Sequence, residues 1–431
     1  MSVPARAAHA PSYYAATRNP APLRPPLVGD VRADVCIIGA GFTGISAALT
    51  LAEAGIRAVV LEGKQIGWGA SGRNGGQIVN GYSRDLGVIE SRYGATAAKA
   101  LGVMALEGGD IIRERVATYD IQCDLVPGGY FAALTERQMR ELEHQKRVWE
   151  KHGHNGLEMV GRQASQDIAR TRIYCGGMID HRAGHLHPLN LVLGEAAAAE
   201  SLGAVIHEDS PVTGIADDGS SVTVSTDRGR VIAKTVLVCG NAYLGDAVPE
   251  LTNKIMPVST QVVATAPLDP KLLDSLLTRN FCVEDCNYIL DYYRRTADHR
   301  LLFGGGIVYG GTDPASIEGK IRPHLDRTFP ELRGVTLDFA WSGNFALTMT
   351  RVPHVGRLSP NVLFSHGDSG HGVTTTHLLG RLLGEAVQGR MARFDTFAAL
   401  PYFPFPGGQR LRVPLTVLGA WWYGLRDRLA F

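Results

Sequence analysis

No cysteine framework, no long apolar run and no surplus of charge of either sign mark this chain of 431 residues. Its six cysteines are scattered, and only Cys282 and Cys286 are near one another. Their CxxxC spacing lacks the second pair a zinc site requires, so no metal centre is expected. Free thiols of this kind suit a reducing, cytoplasmic setting better than a disulfide scaffold. The 43 Lys and Arg nearly cancel the 42 Asp and Glu, leaving a net charge of +1 and no electrostatic footprint for nucleic acid. The first residues carry prolines but no apolar signal core. The apolar tail stretch Val413 to Leu425, with Trp421 and Trp422, covers about 13 residues, short of the ~20 that span a bilayer, so no transmembrane segment is expected. A hydrophobic fraction of 45% is ample for packed cores and excludes general disorder.

Glycine is what the chain has in excess. Its 51 glycines make up about 12% of the residues, against a usual ~7%. The first concentration follows an apolar run. Asp34-Val-Cys-Ile-Ile38 reads as a buried parallel strand, residues 42–54 as a helix closed by Gly55, and Ala58-Val-Val-Leu61 as a second strand. Between strand and helix stands Gly39-Ala-Gly41-Phe42-Thr43-Gly44, a GxGxxG in the context that gives the motif its meaning. Gly39 makes the tight turn, Gly41 admits a pyrophosphate, and Gly44 lets helix and strand pack closely. Glu62, at the end of the second strand, can accept bonds from ribose hydroxyls and disfavours a 2′-phosphate. FAD and NAD both remain open at this point.

Two further segments favour a flavin. Gly67-Trp-Gly69-Ala70-Ser71-Gly-Arg73-Asn74-Gly75-Gly76-Gln77 is too rich in glycine for a strand or helix, yet its polar residues are not those of a linker. His366-Gly-Asp-Ser-Gly370-His371-Gly372-Val373-Thr374 follows a strand and opens a helix expected over about 373–387. That second helix N-terminus suits the pyrimidine end of an isoalloxazine, where negative charge develops on reduction, and an NAD enzyme has no need of it.

With these three segments in their order and spacing, the chain resembles the D-amino-acid-oxidase type of FAD enzymes, and more narrowly the bacterial γ-glutamylputrescine oxidases. Further matching stretches are Ser12-Tyr-Tyr-Ala15, Gly184-His-Leu-His-Pro-Leu-Asn190, Gly240-Asn-Ala-Tyr-Leu-Gly245, Val283-Glu-Asp-Cys-Asn-Tyr288 and Tyr402-Phe-Pro-Phe-Pro-Gly-Gly408. The resemblance implies an α/β fold: a Rossmann-like FAD-binding domain of that type with a second, antiparallel-sheet substrate domain. It divides the chain into an arm over 1–30, an FAD-binding domain from 31–95, 165–250 and 341–395, a substrate domain from 96–164 and 251–340, and a tail over 396–431. It places Val212 and Gly240 on the dinucleotide and 371–374 on the flavin. Tyr288, Tyr292, Trp341 and Phe345 become candidates for the substrate cavity, although aromatic residues there also serve as core.

The resemblance further implies noncovalent FAD, since no cysteine lies in 366–374 and no histidine in 63–80. The expected reaction is oxidation of a primary amine, γ-glutamylputrescine foremost, to an aldehyde with release of ammonia and hydrogen peroxide. His371 and Arg351 are the charged groups expected nearest the flavin, and neither is needed as an obligatory base. Several amine-oxidising relatives carry a lysine on a strand over the flavin, and Arg300-Leu-Leu-Phe-Gly304 has none. The acceptor is therefore oxygen or another electron carrier. An N-methyl or D-amino acid dehydrogenase is the alternative within the flavin class. A flavin- or NAD-binding protein without turnover is the alternative outside it.

Overall fold

The computed structural model describes residues 7–429. The side chains from 420 onward, Trp421 and Trp422 among them, lie outside the described residues. Two sheets organise the chain. In the first, of eight strands, the order runs His354–Ser359, Val362–His366, Gly229–Val238, Gly29–Ile38, Ala58–Leu61, Val205–His207, with the hairpin Val212–Asp217 and Val222–Thr226 hung on Gly229–Val238. The five strands from Val362–His366 to Val205–His207 are parallel. Parallel sheets need both faces covered, which explains the apolar run Val35 to Ile38 and its burial on both faces.

Three helices close one face. Gly372–Val387 crosses Phe42–Glu53 so tightly that a Cβ at Gly380 would stand 2.5 Å from the Thr43 carbonyl oxygen and from the Ser46 Cβ. Pro188–Ser201 packs alongside. Where these meet the helix Leu86–Thr118, Arg115 bonds Glu195 at 3.2 Å, and Glu195 reaches the His377 ring at 3.1 Å. Arg115 also donates to the Ser46 hydroxyl, the Ser46 carbonyl and the Thr50 hydroxyl. The three side chains are between 0% and 1% exposed, so this network is a fully dehydrated joint.

The second sheet has nine strands, ordered Leu337–Leu347, Met256–Thr265, Leu301–Tyr309, Tyr292–Arg295, Cys282–Asp285, Val126–Ala133, Gly176–His185, Gln77–Ile78, with Leu157–Gly161 on Gly176–His185. It is antiparallel except where Cys282–Asp285 runs parallel to Val126–Ala133. Sheet membership does not follow the expected segment boundaries. Gly176–His185 lies within 165–250 and Gln77–Ile78 within 31–95, yet both pair in the second sheet, and Leu337–Leu347 straddles residue 341. Strand partners at such sequence distances leave no mark in local composition.

The arm docks through Tyr13 and Tyr14. The Tyr13 hydroxyl donates to Asp298 at 2.9 Å, and the Tyr14 hydroxyl accepts from Arg294 at 3.0 Å. Among the described residues, no helix is long and apolar enough to cross a membrane, and no three His, Cys, Asp or Glu side chains gather as a metal site.

Candidate functional site

The strand Gly29–Ile38 ends at Gly39, whose φ of +101° turns the chain into the helix Phe42–Glu53. That helix begins at Gly41 with no side-chain cap of its own; instead the Phe42 amide donates to the Ser71 hydroxyl at 2.9 Å. A Cβ at Gly44 would lie 1.9 Å from the Gly39 carbonyl oxygen, so Gly44 serves backbone packing rather than a cavity wall. Glu62 accepts from the Ala40 and Lys64 amides, each at 2.8 Å. Its carboxylate thus orders the loop that it borders, and burial pushes its pKa up.

The glycine-rich segment is held open from both sides. Trp341 donates its indole N–H to the Arg73 carbonyl at 2.8 Å, and Arg294 donates to the Gly75 carbonyl at 2.7 Å. Asn74 accepts from the Gly76 amide at 2.8 Å, and Arg73 lies 4.3 Å above the Trp68 ring. A Cβ at Gly75 would meet the Tyr292 ring at 2.5 Å, so the bare backbone is what lets ring and loop touch. In the third segment, buried Asp368 accepts from the Asn241 side chain at 2.5 Å and from the Gly370 amide at 3.2 Å. The helix Gly372–Val387 then starts with His371 at its N-cap and points its first turn inward.

These segments enclose two cavities that meet at Phe42, Ala70, Ser71 and Asn241, with volumes of about 290 and 250 Å³. The first is lined by Gly39, Gly41, Phe42, Thr43, Glu62, Gly69, Ala70, Ser71, Val212 and Gly240 among the expected dinucleotide residues. The second is lined by Arg73, Asn74, Gly75, Gln77, Gly370, His371, Gly372 and Val373, together with Tyr288, Tyr292, Phe345 and Arg351. Four expected site residues line neither. Gly44 packs on Gly39, and a Cβ at Gly76 would meet the Leu186 carbonyl at 2.2 Å. Thr374 donates to the Val79 carbonyl at 2.7 Å. Trp341, expected in the substrate cavity, is 2% exposed and packs against Tyr14 while holding the Arg73 carbonyl. Its indole N–H needs a partner when buried, and the loop backbone supplies it.

The arginines divide in the same way. Arg294 is spent on Gly75, Leu186 and Tyr14, and Arg295 pairs with Asp274 at 2.5 Å. Arg351 alone of the three lines the cavity; it sits at φ +59° and its guanidinium donates to the Tyr288 hydroxyl from 5.1 Å off the ring centre. Burial, with Arg351 adding to it, lowers the His371 pKa to about 4, so the imidazole at the helix N-terminus is neutral near pH 7. Lys320, on the helix Ile317–Thr328, donates to the Ile307 carbonyl at 2.9 Å. Cavity residues not singled out in the sequence are Asn241, in the turn Asn241–Tyr243, and Thr260, Glu284, Tyr309 and Asn344, which strand alternation brings inward from separate segments.

A family model described as FAD dependent oxidoreductase matches residues 34–386. The chain belongs to that family. It is a FAD-dependent oxidoreductase, and the lining of the double cavity fits the cofactor: bare glycine backbone and a helix N-terminus that would suit a pyrophosphate, a carboxylate at Glu62 that could accept from a ribose, and a second helix N-terminus at the far end. Gamma-glutamylputrescine oxidoreductase of Escherichia coli (strain K12) is 52% identical over 98% of this chain and 99% of its own length. A probable oxidoreductase, OrdL, of Haemophilus influenzae is 39% identical over 97% of this chain and 98% of its own. Among solved structures, glycine oxidase from Geobacillus kaustophilus superposes with a TM-score of 0.72 at 22% identity, covering 86% of this chain and 100% of that one, a likeness of fold.

Because Glu62 is already tied to two amides, its truncation removes loop order as well as ribose acceptors. Glu62→Ala is expected to weaken FAD binding about 10- to 100-fold, the equivalent of roughly 1.5–3 kcal/mol for hydrogen bonds to a charged group. Titration of the apoprotein with FAD measures it.

Proposed function

We propose that the protein oxidises the primary amine of γ-glutamylputrescine, using noncovalently bound FAD, to the imine, which water hydrolyses to γ-glutamyl-aminobutyraldehyde and ammonia, while oxygen is reduced to hydrogen peroxide. The observation that carries the reading is the pairing of Arg351 with Tyr288 on the wall of a cavity whose other walls are the flavin-type segments, in a chain 52% identical to an enzyme bearing that substrate in its name. Bound FAD supplies the two-electron acceptor for the hydrogen on the carbon that bears the amine. The chain's own residues bind, orient and dehydrate. Arg351 offers a planar cation to the glutamyl carboxylate, with the Tyr288 hydroxyl beside it. Phe345, Tyr292 and Leu290 supply apolar wall for the methylene chain. Neutral His371 donates or accepts at the helix N-terminus without adding charge.

Binding energy from the glutamyl end is remote from the reacting carbon, so a substrate without it loses transition-state stabilisation. Putrescine is expected to be at least about tenfold worse in kcat/KM, the loss of one charge-assisted pair of roughly 1.5–3 kcal/mol. Equal values for the two amines, or a strong preference for sarcosine or a D-amino acid in a flavin-bleaching screen, would assign the protein to another substrate class. Hydrogen peroxide formed in step with aldehyde tests oxygen as acceptor.

The amine must lose its proton before its carbon can give up hydride, and an alkyl ammonium titrates near ~10.4. The rate of flavin reduction at saturating amine is therefore expected to rise from pH 6 toward pH 10. His371, with a pKa of about 4, is neutral throughout that interval and cannot produce the rise. Stopped-flow reduction across the pH range checks it.

A further inference from the structure

Glu284 is a carboxylate that the oxidoreductase cavity holds without a counter-ion. It stands on the strand Cys282–Asp285, in register with Tyr292 on one side and Phe131 on the other. Strand alternation turns its neighbours Val283 and Asp285 to the opposite face, where Asp285 caps the Asn287 amide, and turns Glu284 onto the cavity wall. Tyr292 touches the bare backbone of Gly75 and Gly304, so Glu284 lies one strand away from the Gly75–Gln77 segment expected against the flavin. Among the described residues it has no hydrogen-bond partner and no ion pair, while Arg351, one of two arginines of the same cavity, is turned to Tyr288, and Arg73 is turned to Trp68.

The titratable groups around Glu284 are Asp285, Cys282, Cys286 and Tyr292. None is a cation. Burial first, and Asp285 second, raise the Glu284 pKa to about 7. A partly dehydrated carboxyl with no partner is costly to keep ionised in a cavity wall unless something brings it a charge or a donor. An alkyl ammonium supplies both, with three N–H donors. Of the other charged side chains on this wall, Arg73 is held by the Trp68 carbonyl and ring, and Asp368 accepts from Asn241 and Gly370. Glu284 and Arg351 are left as an anionic and a cationic group that do not neutralise each other, joined by apolar wall, which is the charge pattern of an aminoalkyl chain carrying a carboxylate at its far end.

We propose that Glu284 is the specificity-determining residue that receives the cationic amine terminus of the substrate. The assignment rests on the amine-oxidation reading, and its test separates the two. The probe is tert-butylamine, which carries the ammonium but has no hydrogen on the carbon bearing it and so cannot be oxidised; tert-butanol is its uncharged counterpart. Binding to the oxidised holoenzyme is read from the flavin absorbance spectrum. The wild-type protein is expected to bind the ammonium at least tenfold more tightly than the alcohol. Glu284→Gln, which keeps the shape and removes the charge, is expected to retain FAD and to lose that preference, with Glu284→Asp restoring part of it. In anaerobic reduction by γ-glutamylputrescine, the Gln variant should raise the half-saturating concentration about tenfold or more and change the limiting rate less.

Equal affinity of wild-type protein for amine and alcohol overturns the proposal with no variant needed. Equal half-saturation by γ-glutamylputrescine in wild type and Gln variant also overturns it, and leaves the substrate reading intact. Discrimination between amine and alcohol that vanishes in the Gln variant, in a protein that γ-glutamylputrescine fails to reduce, supports Glu284 and removes the substrate reading.

Discussion

Gly41→Val yields a folded but colourless protein. The β-carbon it introduces would stand 2.9 Å from the Ser71 hydroxyl oxygen, the acceptor of the Phe42 amide, and its methyl groups would project into the cavity where the pyrophosphate approaches the backbone. The effect is confined to the cofactor because the nearest atom is a side-chain hydroxyl that can swing aside. Gly44 provides the contrast. There the added carbon meets the Gly39 carbonyl at 1.9 Å, a backbone group in the turn after a parallel strand, so Gly44→Val is expected to abolish folding and colour together. Flavin absorbance and far-UV circular dichroism of the two variants separate the outcomes. In the wild type, acid precipitation should release FAD to the supernatant; colour retained by the pellet would mean a covalent link. Full FAD occupancy in Gly41→Val would refute the fingerprint assignment.

Arg115→Met is expected to lower stability by about 3–5 kcal/mol, the range for breaking a buried ion pair from one side. The methionine fills much of the volume but leaves Glu195 dehydrated, with only His377 to answer it, strips the Thr50 hydroxyl of its arginine donor and leaves the Ser46 carbonyl with the Thr50 hydroxyl alone of its two side-chain donors. Burial alone would raise the Glu195 pKa, but His377 and Arg115 outweigh it and hold the carboxyl below its usual 4.5. A depressed carboxyl contributes stability that is complete above the unfolded value and is lost as pH falls through the folded one. The wild type should therefore lose this contribution below about pH 4.5, in the ordinary carboxylate range, while Arg115→Met shows a weaker acid dependence there. Urea denaturation at pH 7 and pH 4 measures both; a difference between variant and wild type under 1 kcal/mol would deny the network its structural role.

What could be read without coordinates was whatever a backbone position demands of one residue type. The turn at Gly39, the bare Gly41 beside the Ser71 hydroxyl and the Gly75–Tyr292 contact all need glycine, so the glycine-bearing walls of the two cavities stood out. The helix Gly372–Val387 came within a residue of its expected start for the same reason. Residues with two plausible lives were not readable. Trp341 and Phe345 lie on one strand, four residues apart, yet only Phe345 reaches the cavity. Arg294 and Arg295 follow one another and serve opposite faces of the second sheet. Glu284 and Asp285 are an acidic pair by composition, and only their pleat shows that one lines a cavity while the other caps a turn. Facing is a property of register, and register here joins strands far apart in the chain.

The arm that Tyr13 and Tyr14 pin in place also sets an order of events during synthesis. Tyr14 receives its bond from Arg294, 280 residues downstream, and Tyr13 gives its own to Asp298, 285 residues downstream. A ribosome adding roughly 5–20 residues per second needs roughly 15–60 s to reach those partners. Both tyrosines thus wait for partners made far later in the chain. Closure of the arm over Arg294, which also steadies the Gly75 carbonyl, cannot precede synthesis of the strand Tyr292–Arg295.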